Sequence, residues 1–212
     1  MKTRFHFIAV CAAVLLQPFI VAAQGILIDQ SYSPSGIYSY WSLSYPGATP
    51  IGQEFVPALS SLDFVDLRLY GGGGSATGTF EVRIHSGSIS APILAASSPA
   101  STTDGMERVT HFEFGAPVTL TPGSTYVIEL AQLSAGSEWG VAEAFGGGYD
   151  AGRMLWGGLP SSQGRDLWFQ EGVAVPEPGV ISLCMLGVGF YLILRRRHPP
   201  NSALPPTSAG RR

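Results

Sequence analysis

Apolar and polar residues alternate along much of the chain, a pattern that predicts β-strands. Val65, Leu67 and Leu69 fall on one face of one such run, and Asp66 and Arg68 fall on the other. A period of two is typical of a strand with one buried face, and no stretch before Gly179 has a convincing helical period. The alternation predicts strands at 63–70, 79–85, 109–114, 126–130 and 167–169, with shorter ones at 26–29, 51–56, 93–97 and 138–143.

The faces of these strands can be predicted from the same alternation. In 79–85 we expect Phe80, Val82 and Ile84 to point inward and His85 to point outward with its polar neighbours. In 109–114, His111 is likewise expected on the outward face. In the last strand, Trp168 lies on the face opposite its two apolar neighbours, so we expect it to be exposed.

Glycine-rich turns separate the runs and favour an all-β fold. Gly71 to Gly74 is expected to form a flexible hairpin turn, and 121–123 reads Thr-Pro-Gly. Many short strands with one buried face each are typical of an antiparallel β-sandwich. About nine strands favour a jelly roll over a seven-stranded immunoglobulin pattern.

The order of these segments also resembles a jelly-roll module that is common in exported bacterial proteins. Ile51-Gly52-Gln53-Glu54-Phe55 is similar to its opening strand, and Pro117 to Tyr126 is similar to its hairpin. Gly146 to Tyr149 and Asp166-Leu167-Trp168-Phe169 are similar to its closing strands. The resemblance implies a carbohydrate-binding-like module and brings no catalytic residues with it.

Residues 1–23 have the three parts of a secretory signal peptide. Lys2 and Arg4 supply the positive start, and an apolar core follows from Phe7 to Leu16. Small residues ending at Ala23 predict cleavage by signal peptidase between Ala23 and Gln24. We therefore expect a signal helix that is removed on export.

The C-terminal region predicts one short transmembrane helix. The apolar run Val180 to Leu194 gives about 22 Å of helix at about 1.5 Å per residue, against a hydrocarbon core of about 30 Å. Arg195, Arg196 and Arg197 follow it and are expected to remain cytoplasmic, which leaves residues 24–175 outside. Such a short span suits transient insertion at least as well as a permanent anchor.

Pro176-Glu177-Pro178, the apolar run and the arginine cluster together resemble the PEP-CTERM sorting signal of Gram-negative bacteria. The resemblance implies processing by an exosortase, with an inner-membrane intermediate and a final place at the cell surface or in the extracellular matrix of a cell that makes exopolysaccharide. The chain departs from the pattern by continuing through a proline-rich stretch, 198–212, which is expected to be disordered. The predicted organisation is therefore 1–23, 24–175, 176–197 and 198–212.

The composition of the exported domain limits the classes of partner that it can bind. Of the 15 acidic residues, all lie between Asp29 and Glu177, where there are five arginines and no lysine, for a net charge of −10. Such a domain should repel nucleic acid. Both cysteines, Cys11 and Cys184, lie in the terminal signals, so the domain has no disulfide, thiol nucleophile or thiolate metal site.

Aromatic residues are the best candidates for ligand contact. Flat rings with a polar edge suit the apolar faces of sugars, but large aromatics also fill sandwich cores, and both interpretations stay open. The candidates for glycan contact are Trp41, Tyr45, Trp139, Trp156 and Trp168.

Metal binding and catalysis have weaker support in the sequence. Oxygen ligands to a structural calcium ion are available at Asp63, Asp66, Asp104 and Glu107, although none has EF-hand spacing. No motif of a serine triad or phosphate loop is present. With 15 acidic residues, some pair of carboxylates is always available, so their presence does not indicate a glycoside hydrolase. We therefore expect no cofactor and a non-enzymatic surface or matrix protein that either sits in exopolysaccharide or binds it weakly. A secreted polysaccharide hydrolase and a structural module without a ligand are the alternatives.

Overall fold

The computed structural model describes residues 24–36, 39–72, 77–103, 107–135, 138–145 and 148–176. Gly25–Val175 form one compact unit. The predicted signal helix, the C-terminal helix, the arginine cluster and the tail lie outside the described residues, as do Ala23, Asp104, Glu177 and Pro178. No helix in the described part of the chain is long and apolar enough to cross a membrane.

Two seven-stranded sheets make up the described part of the chain, and every strand pair with a described register is antiparallel. The first sheet contains β1 (Gln24–Tyr32), β2 (Ser39–Ser42), β4 (Ser61–Gly71), β8 (Arg108–Thr119), β10 (Trp139–Ala144), β13 (Asp166–Leu167) and β14 (Phe169–Pro176). The second contains β3 (Ile51–Phe55), β5 (Thr77–Ser86), β6 (Ile93–Ala96), β7 (Ala100–Thr103), β9 (Tyr126–Ala135), β11 (Met154–Trp156) and β12 (Leu159–Pro160). The predicted all-β, antiparallel class is confirmed, and the arrangement is consistent with a β-sandwich.

The predicted alternation places the core between the two sheets. Val65, Leu67 and Leu69 of β4 are buried together with Phe80 and Val82 of β5. Because β4 belongs to the first sheet and β5 to the second, one hydrophobic cluster joins both layers. Burial of such aliphatic and aromatic side chains is the main source of stability in a domain without disulfides.

The expectation of a hairpin at Gly71 to Gly74 is wrong. A hairpin joins neighbouring strands of one sheet, but β4 pairs with β8, β10 and β14, and β5 pairs with β6, β7 and β9. The segment after Gly72 therefore connects the two sheets. Alternation identifies strands but does not reveal their partners, which is why the error arose.

The expectation that His85 points outward into solvent is also wrong, since the residue is only 3% exposed. The pairing of β5 with β6 shifts register between Ile84 and His85, and the segment that follows covers the ring. Nδ1 of His85 donates to the carbonyl oxygen of Ala91 at 2.7 Å, and Nε2 lies 2.7 Å from Oε2 of Glu129. His111, by contrast, is exposed as predicted.

Candidate functional site

A short hairpin forms one wall of the candidate site. β11 and β12 are joined by Gly157 and Gly158, whose φ angles are 54° and 77°. Two-residue hairpin loops favour positive φ at both positions, and glycine adopts it without steric cost. Trp156 and Leu159 are directly opposed across the hairpin, so their side chains lie next to each other on the same face. The amides of Gly157 and Gly158 bond to the carbonyls of Ala48 and Pro50, which fixes the hairpin on the preceding chain.

Trp41 forms the opposite wall, from the edge of the first sheet. β2 pairs with β10 so that Trp41 lies directly opposite Val141, a core residue. Directly opposed residues share a face of the sheet, so the indole points toward the second sheet. The ring centroids of Trp41 and Trp156 are 3.9 Å apart at 51°, and that of Tyr45 is 6.3 Å from Trp156. Three of the predicted aromatic residues therefore meet in one place.

The two walls enclose a pocket of ≈ 270 Å³. Aromatic, hydroxyl, amide and guanidinium groups share its surface. The described lining consists of Trp41, Met154, Trp156, Leu159, Pro160, Ser161, Ser162, Gln163 and Arg165. Apolar side chains stand exposed around it: Leu159 is 71% exposed, Tyr45 62% and Phe145 45%. A pocket with an exposed apolar rim is typical of a binding site, since single exposed apolar residues are scattered but clusters are uncommon.

Arg165 joins the aromatic groups to a buried acid. Its guanidinium carbon lies 4.9 Å from the ring centre of Trp41 and 4.3 Å from that of Phe145. Nη1 donates to Oε1 of Glu143 at 2.7 Å, and Nε donates to Oε1 of Gln163 at 2.9 Å, with Nη2 donating to that same oxygen. Aromatic faces attract a guanidinium, and its planar fork is well suited to such stacked, hydrogen-bonded positions.

Glu143 lies behind the pocket, on the inward face of β10, with no exposure of its side chain. Register pairs it with Leu167, another core residue. Burial raises the pKa of Glu143, and the hydrogen bond and charge of Arg165 oppose that rise. Trp41 and Ser39 lie close enough to lower the pKa further, but no donor among the described residues reaches Oε2 in hydrogen-bond geometry. The ion pair with Arg165 is therefore the main compensation for this buried carboxylate.

Two of the predicted glycan contacts lie elsewhere and are buried. Trp139 is 1% exposed in the core, where its ring meets that of Phe80 edge-on at 5.2 Å. The expectation that Trp168 is exposed is wrong: it is 9% exposed, with the guanidinium of Arg68 over its ring at 5.8 Å. Trp168 lies between β13 and β14, which interrupts the predicted strand 167–169, and the long side chain of Arg68 from β4 covers its ring.

Three of the four acidic residues considered for calcium are described by the structure, and each has its own protein contact. Oδ1 of Asp66 lies 2.7 Å from Nδ1 of His111, and Glu107 forms an ion pair with Arg68. Oδ2 of Asp63 accepts the backbone N–H of Ala174 at 2.9 Å. Within the ranges that the structure describes, no group of three or more His, Cys, Asp or Glu residues is placed to hold a metal ion.

Several residues of the site escaped the sequence analysis, among them Glu143, Phe145, Gln163 and Arg165. Glu143 lies at the end of β10 and Phe145 directly after it, whereas Gln163 and Arg165 lie just before β13. The two segments are distant in sequence and adjacent through strand pairing. The only local signal was Arg165 itself, one of five arginines in an acidic domain. Comparison of the chain with protein-family models gives no match, and comparison with curated proteins gives no significant match.

Proposed function

We propose that the protein is an exported, non-enzymatic surface or matrix protein whose β domain binds extracellular polysaccharide in the pocket between Trp41 and Trp156. The single observation that carries the proposal is the meeting of these two indoles with Arg165 in a pocket with an exposed apolar rim. Indole faces suit the apolar faces of sugar rings, and the amide, hydroxyl and guanidinium groups beside them suit sugar hydroxyls.

The chemistry of the lining favours binding over hydrolysis. Glycoside hydrolases use a pair of carboxylates on either side of the scissile bond. The described residues that line the pocket include no carboxylate, and Glu143 behind it is engaged by Arg165. The pocket therefore supports a binding module better than the hydrolase alternative.

The proposal for export and sorting rests on the terminal signals. A secretory signal peptide would deliver the domain, and Pro176-Glu177-Pro178 with the following apolar run and arginines would hold it for an exosortase. The protein would then pass from the inner membrane to the cell surface or matrix of a Gram-negative bacterium. For the domain itself we propose the jelly-roll type of sandwich, which its two antiparallel sheets and its resemblance to the exported module support.

The test is capture of the full chain, in mild detergent, on the exopolysaccharide of its own host. We expect saturable binding, measured with and without calcium, that falls at least about tenfold in Trp156→Ala because an aromatic platform is removed. Leu94→Ala is the matched control, since Leu94 is an exposed apolar residue on β6, at the far edge of the second sheet. Absence of saturable binding by the native chain, or equal loss in both variants, would overturn the proposal.

A further inference from the structure

We infer that Glu143 sets the charge class of the ligand, so that the pocket takes an uncharged sugar ring and discriminates against an acidic one. The inference rests on the proposed function and deepens it. Glu143 is buried and does not line the pocket, so it would act on the choice between neutral and acidic sugars through Arg165.

Arg165 alone would favour an acidic ligand. A guanidinium beside a sugar pocket attracts carboxylates and can bind them through two parallel N–H donors. Its side chain is 12% exposed, so water screens the charge only in part. Without a counter-charge, this group would select uronic acids from among the sugars of a polysaccharide.

Glu143 and Gln163 remove that preference. Oε1 of Gln163 accepts from both Nε and Nη2, which form one of the edges that a carboxylate uses for bidentate binding. Oε1 of Glu143 accepts from Nη1, which belongs to the other edge, and its charge makes the pair neutral. A ligand carboxylate would therefore find neither a free bidentate edge nor a net positive charge.

The charge of the domain and the size of the pocket also favour an uncharged single sugar ring. The segment from Asp29 to Glu177 carries a net charge of −10, which disfavours the approach of an anionic polymer at low ionic strength. The pocket of ≈ 270 Å³ is slightly smaller than most ligand sites, which commonly measure about 300–1,000 Å³. One sugar ring at a chain end or branch fits this space better than several consecutive rings.

The experiment compares neutral and acidic probes on the full chain. The probes are the methyl glycosides of glucose, galactose and mannose, and the corresponding uronic acids, at low and at high salt. For the native chain we expect at least one neutral glycoside to bind, with its uronic acid at least about fivefold weaker at low salt, a margin that corresponds to one charge contact screened as in bulk water. Glu143→Gln keeps the size and the hydrogen bond but removes the counter-charge, so the ratio should shift toward the uronic acid by at least about fivefold.

Two control variants keep this test decisive. Glu138→Gln removes an exposed carboxylate next to the same strand and should leave the ratio unchanged. Glu143→Gln combined with Arg165→Gln removes both charges and should restore the native preference, which a merely structural role for Glu143 would not do. Equal or tighter binding of the uronic acid by the native chain, or an unchanged ratio in Glu143→Gln, would overturn the inference.

The failure of this inference is distinguishable from that of the proposed function. If the chain captures the host polymer but binds no neutral glycoside, the inference is overturned and the proposed function stands. If it captures neither polymer nor glycoside, both are overturned.

Discussion

The side chain of Gln53 joins the two sheets through Asp166. Nε2 of Gln53, on β3, donates to Oδ1 of Asp166 at 3.0 Å, and its Oε1 accepts the backbone N–H of Leu167 at 2.8 Å. Gln53 has no exposure to solvent. Oδ2 of Asp166 accepts the backbone N–H groups of Gly148 and Tyr149, both at 3.2 Å. One buried polar network therefore ties β3 to the strand that follows Arg165.

Gln53→Leu should destabilise the protein strongly. The change leaves a carboxylate oxygen and a backbone N–H buried without their partner, and each such orphan costs about 1–3 kcal/mol. The free energy of unfolding, from urea denaturation, measures the effect. Gln132→Leu is the matched control, because Gln132 is exposed on β9 of the same sheet. Similar stabilities of the two variants would show that the network contributes little.

Glu171 should make stability depend on pH. The residue is fully buried on β14, opposite Val65, and burial raises its pKa to about 8, with the charge of Asp29 adding to the rise. The backbone of Gln30 opposes part of this rise, although no donor in the described residues reaches either oxygen in hydrogen-bond geometry. The ordinary pKa of the carboxyl is 4.5, so between the two values the folded protein keeps a proton that the unfolded chain releases.

The contribution of Glu171 to the free energy of unfolding is therefore fully present below about pH 4.5 and is lost as the pH rises to about 8. Each pKa unit between the unfolded and folded values is worth about 1.4 kcal/mol. Glu171→Gln removes the titration, so its stability relative to the native chain should increase from pH 5 to pH 8. Urea denaturation at several pH values measures that difference. Glu113→Gln, at an exposed position of β8, should show no such trend. A difference that does not vary with pH would contradict the prediction.

Gly172 should tolerate no side chain. A Cβ atom there would lie 2.0 Å from the carbonyl oxygen of Leu27 on the adjacent strand β1. Gly172→Ala must therefore displace β1, and overpacking of this kind costs about 1–3 kcal/mol. In Gly115→Ala the new methyl group meets nothing within 4 Å, so that variant should match or slightly exceed native stability. Thermal unfolding of the two variants compares them directly, and equal losses would refute the steric argument.

Pro176→Ala with Glu177→Ala should block processing of the sorting signal. If an exosortase recognises this motif, the double variant should accumulate as uncut precursor in the membrane fraction. Fractionation of host cells and immunoblotting measure the ratio of precursor to processed protein. Asn201→Ala with Ser202→Ala, in the tail, is the matched control. Normal processing of the motif variant would refute the exosortase assignment.

Strands with clear alternation could be predicted from the sequence because one face of each contacts the core. Val65, Leu67 and Phe80 were placed correctly for this reason. β7 was missed because Ala-Ser-Thr-Thr carries little apolar signal, and β11 and β12 were missed because each is too short to establish a period. Pairing between distant strands leaves no local pattern, so the crossing between sheets after Gly72 could not be recognised.

The candidate site was predictable only in its aromatic part. Trp41, Tyr45 and Trp156 could be named from the sequence because flat rings with a polar edge suit the apolar faces of sugars. Arg165 and Glu143 became part of the site through the pairing of β10 with β13, a relation between segments that are distant in sequence. The error at Trp168 has a similar origin, since the covering side chain of Arg68 comes from another strand.

The pocket is built mainly from peripheral strands, so the proposed ligand site lies away from the central strands of both sheets. Trp41 comes from β2, while Trp156 and Leu159 come from a hairpin at the outermost edge of the second sheet. The central strands β4, β5 and β9 hold the core without contributing to the lining. New ligand preferences can therefore be engineered by exchanging surface residues within 159–165, while Met154 and Leu155 stay unchanged because they are buried in the interior.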